Sequence, residues 1–293
     1  MAPHPFRGSP KFMNILYVLV LALVQGICEL LPVSSSAHVI LAEKWLGLDP
    51  TAPDMTMLLV MLHTGTMFAV IVYFWHSWRK TYFSSAAEFR SQGLQVVLAT
   101  VATGVVGLLL LQLIKAIVAK GNPDFEIEHL FGNPKIMGAG LATAGLLILY
   151  SSRADPARGV AMSSRAALCI GAVQGVCLPF RGLSRSGATI STGLAVGVAR
   201  QKAEEFSFAL AVVLTPAVIV REAWRLHKTP AVAAAIDSGG LWTVLAPSLL
   251  GMVFSFLAGL LALRWLSRWL EQDRWHLFGY YCLAVAVAIF FLG

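Results

Sequence analysis

Apolar residues along this chain gather into runs, near residues 14–32, 55–75, 94–118, 136–152, 205–220, 240–263 and 275–292. A helix needs about 20 mainly apolar residues to cross the hydrocarbon of a bilayer. Most of these runs reach that length, the shorter ones with help from flanking aromatic residues, so they predict membrane helices. Two further stretches, 25–48 and 163–200, are apolar enough to lie at membrane depth but are interrupted by Pro, Ser, Gly, His, Glu and Arg. Irregular backbone survives there only where protein or a water-filled cavity covers the freed peptide groups. Chemistry is expected at these two interruptions.

The interruptions are related to one another. Val24-Gln25-Gly26-Ile27-Cys28 returns as Val173-Gln174-Gly175-Val176-Cys177, an offset of 149, and Ser35 falls on Ser184 at the same offset. Ala69-Val70-Ile71-Val72 returns as Ala217-Val218-Ile219-Val220 at an offset of 148, and Trp75 matches Trp224 at 149. This agreement predicts a duplication within a single integral-membrane domain spanning residues 1–293. Its units are 14–152 and 163–293, after a basic tail at 1–13. Each unit reads as one re-entrant helix hairpin followed by three transmembrane helices. Three crossings are odd, so the second unit enters from the opposite face. The expected fold is therefore an all-α polytopic membrane protein with an inverted-topology repeat, its site at the repeat interface. Segments 29–38 and 181–189 are then able to meet inside. The tail and first run also look like a secretory signal, with Arg7 and Lys11 ahead of an apolar stretch and small residues at 34–37. A cleaved leader would not be half of a repeat, so that reading is set aside.

Composition sharpens this picture. Of 293 residues 57% are hydrophobic and 13% charged, about half the charged fraction of soluble globular chains. Soluble enzymes and disordered or fibrous chains are excluded. The net charge of +7 sits mainly in short loops, which encodes topology rather than nucleic-acid binding. One set of loops carries 11 Lys and Arg and the other 9. That bias makes the side holding loops 76–92, 153–165, 200–204 and 264–274 cytoplasmic and places both termini outside. Cys28, Cys169, Cys177 and Cys282 lack metal-site spacing and read as small packing residues.

The first interruption runs Gln25-Gly26-Ile27-Cys28-Glu29-Leu30-Leu31-Pro32-Val33-Ser34-Ser35-Ser36-Ala37-His38. Gln25 and Glu29 are four apart and share a helix face, Pro32 breaks the helix, and three hydroxyls lead into His38. An ionised Glu in hydrocarbon costs several kcal/mol, so it should face a polar cavity or a partner. The second interruption, Pro179 to Thr189, reads as a Gly/Ser turn opening a small-residue helix with Arg185 at its mouth. Helix N-terminal N–H groups beside a guanidinium suit phosphate oxygens. Each element has a plainer reading. Ser34, Ser36 and Ser186 are equally suited to capping helices, and Arg185 to a purely structural pairing with Glu29 across the repeats. His38 is favoured for a chemical role because of its neighbours. His63, beside Thr64, Gly65 and Thr66, is a candidate for lining the same cavity, and Arg181 is able to snorkel to an interface.

At QGICELLPVSSSAH (25–38) and LSRSGATIS (183–191) the chain resembles the undecaprenyl-diphosphate phosphatases of bacteria, also called bacitracin-resistance proteins, and its span pattern is similar over nearly the whole length. The resemblance implies hydrolysis of undecaprenyl diphosphate to the monophosphate and inorganic phosphate, recycling the cell-wall lipid carrier. It also implies residence in the bacterial inner membrane, with a site open to the outer, periplasmic face. Glu29, Ser35, His38 and Arg185 match the family's essential positions. Ser34, Ser36, Ser184, Ser186, Gly187, Thr189 and Gln25 fall in its diphosphate-binding neighbourhood. Relatives carry Glu or Gln at the position of Gln25, so a two-glutamate metal site is not implied here. Mg²⁺ or Ca²⁺ bridging the diphosphate itself is the cofactor expectation. Arg181 stands where relatives usually have Pro. Either Ser35 attacks, with His38 or Glu29 taking its proton, or His38 attacks directly. The competing class is a lipid-phosphate flippase or transporter using the same midplane anion site, since inverted repeats also build transporters. A phosphatase of a different lipid phosphate is the nearest variant. Oligomeric state is not legible.

Overall fold

A computed structural model describes residues 14–49, 53–118, 133–153, 159–180, 182–227 and 241–292. The tail at 1–13, Arg181 and parts of the loops used in the charge count lie outside these residues. The described chain forms ten helices: α1 (Ile15–Leu30), α2 (Ser35–Trp45), α3 (Pro53–Tyr82), α4 (Ala86–Val118), α5 (Pro134–Ser151), α6 (Ser164–Cys177), α7 (Arg185–Ala195), α8 (Arg200–His227), α9 (Leu241–Glu271) and α10 (Trp275–Leu292). Among the described residues there is no sheet, only a single bridge between Val160 and Val198.

Local chemistry sets the helix starts. Asn14 accepts a hydrogen bond from the Leu16 N–H, Asn133 from Lys135 ahead of a first-turn Pro134, Ser163 from Ala166 and Ser184 from Gly187. Each satisfies one of the donors that a helix leaves orphaned at its N-terminus. Pro32 ends α1, because it forces Leu31 out of helical conformation (ψ 151°).

Five helices are long and apolar enough to cross a bilayer: Met55–Tyr82, Ala86–Val118, Pro134–Ser151, Arg200–Arg221 and Leu245–Glu271. On α4, Val97, Val101, Val105 and Leu108 form an apolar row more than half exposed, the face a bilayer would cover. The 11-residue α2 and α7 rise only about 16 Å each, half the roughly 30 Å of hydrocarbon. Neither spans alone.

Helices α3, α4, α8 and α9 run past the apolar windows that predict them. The windows measure membrane depth, whereas the polar ends of α3, α8 and α9 stay helical because they interlock. The Ser267 hydroxyl donates to Glu204 Oε1 at 2.6 Å and accepts from the Tyr73 hydroxyl at 3.0 Å. Glu205 accepts from Ser77 and from Lys202 Nζ (3.0 Å), which also reaches Thr81 at 2.9 Å. Arg200 binds the Leu270 carbonyl at 3.1 Å and pairs with Asp273. The two buried carboxylates thus join the ends of α3, α8 and α9.

The core that positions the site is built between distant helices. α1 packs on α9 and α6 on α4, while α3 packs on α8 and α9 and α5 on α10. Glycines allow the first two contacts. A Cβ on Gly26 would lie 2.6 Å from Ala258 Cβ, and one on Gly175 would lie 2.7 Å from the Thr103 carbonyl. These glycines stand 149 positions apart, the offset seen in the sequence.

Candidate active site

Glu29 lies in the last turn of α1, immediately before the Pro32 break, and its carboxylate collects four neighbours. Oε1 accepts from Arg185 Nη2 at 2.9 Å, and Oε2 accepts from the Ser35 hydroxyl at 2.6 Å and Gln25 Nε2 at 3.2 Å. His63 Nε2 lies 3.9 Å from Oε2. Glu29 and Arg185 keep 18% and 22% of their side-chain surface exposed, so the pair is largely but not wholly withdrawn from solvent.

The Arg185 side of the site rests on the start of α7. Ser184 caps the helix, Ser186 donates to the Leu31 carbonyl at 3.2 Å, and a Cβ on Gly187 would touch Pro32 Cβ at 3.2 Å. The two interrupted segments are therefore in direct contact. Thr189 is fully buried, with its hydroxyl on the Arg185 carbonyl at 2.8 Å and against Ser207 at 2.6 Å. This contact ties the first turn of α7 to α8. The other terminal nitrogen of Arg185, Nη1, is buried and has no hydrogen-bond partner among the described residues. A charged donor in that position is costly unless something supplies an acceptor.

The α2 side carries the nucleophile candidates. Ser34 joins the break to α2 with φ 67° and ψ 91°, a strained conformation for a residue with a Cβ, worth about 1–3 kcal/mol and typical of functional sites. Ser35 opens α2 and points at Glu29. Ser36 is half-buried next to it. His38 lies one turn on, with Nδ1 2.8 Å from the Ser34 carbonyl and Nε2 2.8 Å from the Tyr281 hydroxyl of α10. It makes no hydrogen bond to Ser35. Tyr281 escapes sequence reasoning because an aromatic in a terminal apolar run reads as a lipid-interface residue.

Gln25 and Glu29 share a face as their spacing predicts. Gln25 presents its amide N–H₂ to Glu29, so it consumes acceptor capacity instead of adding it. Among the described residues no three His, Cys, Asp or Glu side chains converge as metal ligands. With both Glu29 oxygens already holding donors, the side chains present do not fit a protein-held Mg²⁺ or Ca²⁺.

Sequence comparisons identify the family. The family model for "Bacitracin resistance protein BacA" matches residues 18–288. Among curated relatives, an "Undecaprenyl-diphosphatase 2" of Acinetobacter baylyi is 61% identical over 96% of this chain and 99% of its own length. An "Undecaprenyl-diphosphatase" of Verminephrobacter eiseniae is 34% identical over 92% of each chain, and one of Korarchaeum cryptofilum is 32% identical over 94% and 98%. With a match that takes in both interrupted segments and nearly every helix, the chain belongs to the BacA bacitracin resistance protein family.

Proposed function

We propose that this chain hydrolyses undecaprenyl diphosphate to undecaprenyl phosphate and inorganic phosphate, at the site between α1–α2 and α7. The observation that carries the site assignment is the Arg185 guanidinium, with one nitrogen on Glu29 and the other buried and unpartnered. A terminal phosphate supplies the missing acceptor, and the same guanidinium then stabilises charge on the transferring phosphoryl group.

Geometry favours Ser35 over His38 as nucleophile, because Ser35 already donates to Glu29 at 2.6 Å. Its oxygen attacks the terminal phosphorus as its proton passes to Glu29 Oε2. The bond from that phosphorus to the bridging oxygen breaks, and undecaprenyl phosphate leaves. Water then attacks the phosphoserine as His38 takes a proton from that water. The bond between phosphorus and the Ser35 oxygen breaks as Glu29 returns its proton to that oxygen, and inorganic phosphate leaves while His38 gives its proton to solvent. His38 is suited to this step because Nδ1–H is used by the Ser34 carbonyl, which leaves Nε2 as the basic nitrogen. Ser34, Ser36, Ser184, Ser186, Gly187 and Thr189 shape the turn that receives the diphosphate. Any Mg²⁺ or Ca²⁺ enters as the counter-ion of the diphosphate itself, not on a protein ligand set.

The fold is read as an inverted repeat of units 14–152 and 163–293, each a re-entrant hairpin plus three spans. Support comes from the order α1–α5 against α6–α10, the paired contacts α1 on α9 and α6 on α4, and the equivalent Gly26 and Gly175. Membership of the family implies the bacterial inner membrane and a site open to the outer face. The bias in Lys and Arg between the two sides, which puts both termini outside, supports that orientation.

The test is phosphate release from undecaprenyl diphosphate by detergent-purified protein, with Mg²⁺, Ca²⁺ or EDTA and beside Arg185→Ala. Release by the native chain alone supports the reading. Absence of release from folded protein under every condition, or normal release by Arg185→Ala, refutes it.

A further inference from the structure

We infer that Tyr281 is a positioning residue for this reaction, its hydroxyl holding His38 in the neutral form until the water of the second step takes the hydroxyl's place on Nε2. The inference rests on the role given to His38 above and deepens it. Nδ1 of His38 lies 2.8 Å from the Ser34 carbonyl, which only accepts, so Nδ1 carries the hydrogen. In the neutral ring Nε2 is then an acceptor, and the Tyr281 O–H donates to it at 2.8 Å. The two rings lie nearly parallel, 14° apart with centroids separated by 5.8 Å. The next residue, Cys282, donates its thiol to the Pro32 carbonyl at 3.2 Å. Two consecutive residues of α10 thus grip the break between α1 and α2, one by its backbone and one by its histidine. Ser34, whose carbonyl holds the other side of the ring, is the strained residue of that break.

The arrangement has a consequence for proton affinity. A hydroxyl donates to Nε2 only while that nitrogen is unprotonated, so the contact favours the neutral imidazole. Of the ionisable groups packed about this contact, Cys28 and Cys282 lie beside Tyr281, while His63 and Arg185 face Glu29. Glu29 already balances Arg185 at 2.9 Å. The Tyr281 hydroxyl is hydrogen-bonded to Nε2, so it sets both the orientation and the protonation state of the base.

Tyr281→Phe removes that hydroxyl and keeps the ring. The expected result is a kcat lowered about tenfold, with KM within about twofold and an unchanged unfolding temperature in detergent. The acidic limb of the kcat–pH profile moves to higher pH, because His38 without its donor protonates more readily and loses its base form sooner. Loss of packing alone would lower stability or raise KM but leave that limb in place. A Tyr281→Phe protein with native kcat, or with a lowered kcat and an unmoved limb, overturns the inference. His38→Ala, measured alongside, separates the two levels. Full turnover there removes the role of His38 and the inference with it, whereas an inactive His38→Ala beside an unaffected Tyr281→Phe removes the inference alone.

Discussion

Glu29 Oε1 and Arg185 Nη2 stand 2.9 Å apart although 156 positions separate the residues, so one ion pair joins the two interrupted segments. The pair has two separable roles. Removing one partner of a buried pair strands the other charge and costs about 3 kcal/mol at the low end of the usual range. Arg185→Ala should therefore unfold at a clearly lower temperature in detergent, as well as losing at least about 10³-fold in kcat/KM. The double variant Glu29→Gln/Arg185→Ala leaves no lone carboxylate. It is expected to recover part of the stability and none of the activity, as thermal unfolding and phosphate release measured on the same preparations would show.

Ser35 points at Glu29, while both ring nitrogens of His38 are engaged elsewhere. A phosphoenzyme trapped by rapid acid quench from substrate labelled in its terminal phosphate should then carry acid-stable label on Ser35. The label should vanish in Ser35→Ala and accumulate in His38→Ala, where attack proceeds but breakdown stalls. Acid-labile label that persists in Ser35→Ala would mean that His38 attacks directly.

Much of this site was legible in the chain because its parts violate the rule of their surroundings. Glu29, Pro32, His38 and Arg185 are expensive at membrane depth, so each announces a polar site, and the 149-residue offset says that two such places belong together. Membrane helices were equally plain, since a bilayer demands a minimum apolar length. What escaped lies in contacts between helices. Nothing in a terminal apolar run distinguishes Tyr281 from the other aromatics there. The pairing of Glu204 and Glu205 with Ser267, Ser77 and Lys202 sits at the polar margins where a charged residue reads as solvent-facing. Those contacts are also why α3, α8 and α9 outrun their apolar windows. Ser184 serves as the α7 cap while Ser186 reaches Leu31, a division that two neighbouring serines do not reveal by type or spacing.

The equivalent glycines test the duplication by packing. A methyl group on Gly26 would meet Ala258 Cβ at 2.6 Å and the Ser255 carbonyl at 2.7 Å. One on Gly175 would meet the Thr103 carbonyl at 2.7 Å and Val106 Cβ at 2.8 Å. Overpacking of this kind costs about 1–3 kcal/mol, so Gly26→Ala and Gly175→Ala should lower the unfolding temperature by similar amounts. Gly93 and Gly104 of α4 have nothing within 4 Å of such a group. Alanine there should be neutral or stabilising, by up to about 1 kcal/mol, through helix propensity. Equal tolerance at all four positions would contradict the close helix approaches on which the two units rest.

Gln25 donates its amide to Glu29 Oε2 at 3.2 Å and is buried. Gln25→Glu replaces that donor by a second carboxylate, and two negative charges about 3 Å apart strongly oppose each other unless a proton or a cation lies between them. A divalent ion then gains two oxygen ligands from the protein where the native chain offers one already saturated group. Phosphate release by Gln25→Glu should become strictly dependent on added Mg²⁺ or Ca²⁺, with EDTA abolishing it. Substrate-free Gln25→Glu protein should also rise in unfolding temperature when Ca²⁺ is added, a rise that the native chain does not show. An equal Ca²⁺-induced rise in the substrate-free native chain would mean that Glu29 already shares a protein-held cation, and the saturated-carboxylate reading would fail.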